Sequence, residues 1–90
     1  MKINSELIIN LLEKLVSPQY EGIINYNVEL DIYPSQETLW VGVEVIFDKK
    51  KFLKQEELND ELEADVMLSV KSTLRYLSIY KTIVDIYLSE

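Results

Sequence analysis

Ninety residues suit a single domain, residues 1–90, with enough chain to bury a core without staples. A net charge of −7 and a lone arginine, Arg75, argue against nucleic acid as a partner, because phosphate backbones are gripped by clustered Lys and Arg. With no histidine and no cysteine, the usual general base, the thiol nucleophile, disulfides and imidazole or thiolate metal ligands are all missing. The chain is therefore expected not to be an enzyme, and to need no metal or cofactor.

Met1 to Glu6 lacks a charged-then-apolar leader pattern, and no apolar run approaches the ~18 residues that span a bilayer. A cytoplasmic protein without membrane contact is the expectation. Ile, Lys, Asn, Tyr, Phe and Met total 33 residues against 6 for Gly, Ala, Arg and Pro, a bias toward AT-rich codons. Such a bias suits a low-GC bacterium or one of its viruses.

Asn4 and Ser5 are both good helix N-caps, since a short side-chain oxygen can accept from the orphan N–H groups of a first turn. Behind them Leu7, Ile8, Leu11, Leu12, Leu15 and Val16 fall on one broad arc, opposite Glu6, Asn10, Glu13 and Lys14. This predicts an amphipathic helix over about 5–16, ended by Pro18, which disfavours helical geometry at Ser17. Its polar side carries too little positive charge for a membrane-surface helix.

Two stretches then alternate with period 2 and predict strands at about 24–33 and 39–48. Ile24, Tyr26, Val28, Leu30 and Ile32 form the apolar set of the first; Leu39, Val41, Val43, Val45 and Phe47 form that of the second. Both sets share a face only if paired residue numbers sum to an odd value. Pairing Ile32 with Leu39 meets that condition, closes the hairpin at Tyr33 and Thr38, and leaves the turn Pro34-Ser35-Gln36-Glu37. A loop of five residues without a bulge would instead bury Glu29 and Asp31.

A second, longer helix is predicted over about 55–78, with acidic residues near its start and Leu62, Val66, Val70, Thr73, Leu74 and Leu77 on one face. Leu68 and Ile79 lie off that stripe. In the tail, helical spacing could run on through Tyr80, Val84 and Tyr87. The β-branched and aromatic content of residues 82–88, and the repeat of Leu30-Asp31-Ile32-Tyr33 in Val84-Asp85-Ile86-Tyr87, favour a third strand. The predicted fold is α+β: a small antiparallel sheet built on the hairpin, with both helices on one sheet face.

Three features could carry function. Lys49, Lys50, Lys51 and Lys54 surround Phe52 in a basic run that reads as a solvated loop. Asp60, Glu61, Glu63 and Asp65 lack both the spacing and the glycine of a calcium loop, and read as a solvated helix start. On the outer sheet face the derived register sets Trp40 opposite Asp31, Gly42 opposite Glu29, Glu44 opposite Asn27 and Ile46 opposite Asn25. With the tail in the same phase, Tyr33, Trp40, Ile46 and Tyr87 stand among Glu29, Asp31, Glu44 and Asp85. Aromatic residues rimmed by acids suit a protein-binding surface, and an ordinary solvated face is the plainer reading. The expected role is a small acidic protein acting through a protein partner or itself, a homodimer being the simplest form. The alternative is a nucleic-acid mimic that inhibits a protein with a basic groove.

Overall fold

The computed structural model describes residues 3–48, 50, 56–77 and 81–89, the side chains of 56–59, 76 and 77 aside. Helix α1 spans Ser5–Leu15, strand β1 Ile23–Tyr33, strand β2 Thr38–Phe47, helix α2 Glu56–Leu77 and strand β3 Lys81–Ser89. The fold is α+β, and the predicted elements are present within a residue or two of their expected bounds.

Asn4 caps α1, its side-chain oxygen accepting from the Leu7 N–H at 2.8 Å. Of the wide apolar arc, Ile8, Leu12 and Val16 are buried. A short 3₁₀ turn at Ser17–Gln19 follows, with Pro18 inside its first turn, where the missing N–H costs nothing. Tyr20 and Tyr26 then tie this connector down. The Tyr20 hydroxyl donates to Asp65 on α2, and the Tyr26 hydroxyl shares a 2.7 Å hydrogen bond with Ser17.

The hairpin register is the one derived from odd-numbered sums: Tyr33 pairs with Thr38, Ile32 with Leu39, and so on to Asn25 with Ile46. The turn is a 3₁₀ turn at Pro34–Gln36, closed by Glu37 in the left-handed region at φ 50°. One departure lies at the far end. A bulge between Ile23 and Asn25 lets Ile23 take the place opposite Phe47 that the alternation gave to Ile24. Ile23 then packs on the core while Ile24 is left 65% exposed.

The larger correction concerns the third strand. β3 lies on the other side of β2 and runs parallel to it, from Thr38 beside Lys81 to Ile46 beside Ser89. The sheet has order β1-β2-β3 and is mixed, not wholly antiparallel. The cause is the length of α2. Its 22 residues span about 33 Å, which matches the roughly 33 Å of a ten-residue strand. The helix thus carries the chain back to the turn end, and β3 must repeat the direction of β2. Its first residue is anchored there by a 2.9 Å bond from the Lys81 N–H to the Glu37 carbonyl.

On α2 the buried residues Leu62, Val66, Val70 and Leu74 recur every four positions, a single stripe aimed at the sheet. Thr73 is half-buried beside it. With Leu39, Val41, Val43, Val45 and Val84 from the strands they form one core. α2 packs on β3 and on α1, and α1 packs on β1. The cover over β1 stops short, however. Tyr26 is buried, Val28 and Leu30 are half-buried, and Ile32, expected inside, is 58% exposed. Ile79, and Lys49, Lys51, Phe52 and Lys54 of the basic run, lie outside the described residues; Lys50 is exposed. Among the described residues no helix is long and apolar enough to cross a membrane.

Candidate functional site

The face of the sheet away from the helices is built in cross-strand rows. Asp31, Trp40 and Ile83 make one row; Glu29, Gly42 and Asp85 the next; Asn27, Glu44 and Tyr87 the third; Asn25, Ile46 and Ser89 the last. Each row follows from register alone, since side chains at paired positions share a face.

The second row has no side chain at its centre. The Trp40 indole fills that space: a Cβ built on Gly42 would lie 2.5 Å from the ring. The ring is fixed at its edge as well, because its Nε1–H donates to Asp85 Oδ2 at 2.5 Å. Trp40 is thereby held flat against the sheet by one glycine and one carboxylate. The ring is thus covered in part by the sheet itself.

Glu44 is fixed in the same manner. Asn27 Nδ2 donates to its Oε1 at 2.8 Å and Ser89 Oγ to its Oε2 at 2.6 Å. Those two bonds, Ser89 first and Asn27 second, hold the Glu44 carboxyl below its ordinary pKa. Glu44 and Asp85 thus meet neutral donors, which bring no positive charge to the face. A hollow of about 190 Å³ results, lined by Asn27, Glu29, Trp40, Gly42, Glu44 and Tyr87. Tyr87 is 55% exposed at its border, and Ile83 is exposed next to Trp40.

Of the residues singled out in the sequence, the hollow unites Glu29, Trp40, Glu44 and Tyr87. Tyr33, Asp31 and Ile46 share the face but do not line the hollow: Tyr33 stands exposed at the hairpin end, Asp31 in the row of Trp40 and Ile46 in the row of Ser89. Ile83, Asn27 and Ser89 were missed. Register placed Asn27 opposite Glu44 from the outset, an amide facing an acid, and that pairing was signal enough. Alternation sets Ile83 on one face with Asp85 and Tyr87, so it too was readable; Ser89 lay beyond the expected strand end.

Among the described residues no three His, Cys, Asp or Glu side chains converge as a metal site. Compared with family models, curated proteins and solved structures, the chain matches none.

Proposed function

We propose that this is a small non-catalytic protein that acts by binding another protein through its outer sheet face. The observation that supports this best is the hollow floored by Trp40, whose ring is fixed over Gly42 while Tyr87 and Ile83 stand exposed beside it. An aromatic floor already locked in place loses little entropy when a partner covers it, and exposed aromatic and aliphatic side chains anchor interfaces. The rim is acidic through Glu29, Asp31, Glu44 and Asp85, so the fitting partner carries an apolar knob flanked by Lys or Arg. The chain's composition, without histidine or cysteine, is in keeping with binding and not with catalysis.

Nucleic-acid mimicry has less support, because two of the four carboxylates, Glu44 and Asp85, already accept internal hydrogen bonds. The test is capture of partners from source cells by the wild type and by the Tyr87→Ser/Ile83→Ser and Glu29→Gln/Asp31→Asn variants. Loss with the first pair and only partial weakening with the second fits an anchored protein interface with an acidic rim. Loss only with the second pair, together with steep salt dependence, fits mimicry and would overturn the proposal.

A further inference from the structure

β1 is an edge strand, and a poorly guarded one. Its eleven residues include no proline and no lysine. Its one bulge lies at the end, between Ile23 and Asn25, so the middle of the edge carries only the charges of Glu29 and Asp31, and among the described residues nothing pairs with its free side. Seven of the eleven are exposed, whereas β2 exposes none. Ile24 and Ile32, the most exposed apolar residues of the strand, sit near its two ends.

The strand's sequence is nearly palindromic about Val28. Ile24 mirrors Ile32, Tyr26 mirrors Leu30, and the polar positions mirror as amide against acid: Asn25 with Asp31, and Asn27 with Glu29. Two copies of β1 aligned antiparallel with Val28 opposite Val28 would therefore meet as Asn25 to Asp31 and Asn27 to Glu29. Centring the pairing on Leu30 instead would set Glu29 against Asp31, like charges directly opposite. Both amides have donors to spare. Asn25 uses its oxygen to accept from the Tyr26 N–H, and Asn27 Nδ2 has a second hydrogen beyond the one given to Glu44.

The helical layer fits the same symmetry. α1 covers the Tyr26 part of β1 and leaves Ile32 bare. The two-fold alignment puts the covered part of each strand beside the bare part of its partner. α1 also carries a second stripe outside the core: Leu7, Leu11 and Leu15, of which Leu7 and Leu11 border an open hollow of about 210 Å³ with Asn10 and Lys14.

We infer that two copies of the chain join through β1 edges, centred on Val28, into a continuous six-stranded sheet. Main-chain hydrogen bonds supply the pairing, as in strand addition generally, and the amide–acid pairs select the register. The axis stands perpendicular to the sheet, so both outer faces look the same way. This inference is independent of the outer-face proposal.

The test is sedimentation equilibrium of the full chain with four variants. The wild type is expected to dimerise at micromolar concentration. Asn25→Asp, which sets acid against acid twice per dimer, should weaken it about tenfold, and adding Asp31→Asn should restore it. Since the chain has no cysteine, Val28→Cys should give a covalent dimer on mild oxidation. Tyr87→Ser should leave dimerisation unchanged, which separates this contact from the outer face. A monomer at all accessible concentrations, or a dimer indifferent to Asn25→Asp and not cross-linked through position 28, would overturn the inference.

Discussion

Single side chains set the character of this molecule, and three of them make testable points. Gly42 matters because the Trp40 indole occupies the place where a Cβ would be. Gly42→Ala should lift the ring off Asp85 at a cost of about 1 kcal/mol, since the displaced atoms are the far end of a half-exposed side chain; tryptophan fluorescence should shift as the indole leaves its site. Glu44 has its pKa lowered in the folded state, so its contribution to stability is present above the ordinary carboxylate pKa and is lost as pH falls through the lowered value. Carbon-13 titration should find that carboxyl below the ordinary glutamate value, and Ser89→Ala or Asn27→Ala should move it back up. Tyr20 runs the other way. Burial, and then the hydrogen bond to Asp65, raise its pKa, so its contribution holds below the ordinary phenol value of about 10 and fades above it. Tyr20→Phe should accordingly narrow the gap between neutral and alkaline stability in urea titrations.

At the scale of elements, α1 and α2 each commit a buried stripe at every fourth position to the core, with Ile9 packed against it from α1, while Leu15, Met67 and Leu68 stay exposed. Leu12→Ala or Leu62→Ala, each fully buried, should cost about 2–5 kcal/mol in chemical denaturation. Leu68→Ala, at a position 66% exposed, should stay within about 0.5 kcal/mol. The hairpin register was legible in the sequence because the two alternations admit only loops of even length, and the proline-headed turn favours the four-residue one. Three things were not. Alternation marks faces but not neighbours: the length of α2 sets the direction of β3, but nothing said whether it would pair with β1, antiparallel, or with β2, parallel. Ile23 and Ile24 are equally apolar, so nothing in composition said which would face inward at the bulge. Ile32 has the right phase for the core, but phase says nothing of how far a helix extends to cover it.

Over the whole molecule, helices close one side of the sheet and leave the other open, and Glu29, Asp31, Glu44 and Asp85, against Lys81 at the hairpin end, make that open side acidic. The candidate site was legible as a face, through register, but not as a hollow. Its floor depends on a tryptophan folding over a glycine two residues away, a contact that no periodicity encodes. The claim that this face meets another protein is tested most directly by photo-cross-linking in source cells, with a photoreactive phenylalanine at Tyr87 in one variant and at Leu68 in another. The outer-face account predicts a discrete protein adduct from position 87 and none from position 68; an adduct from position 68 with none from position 87 would contradict it.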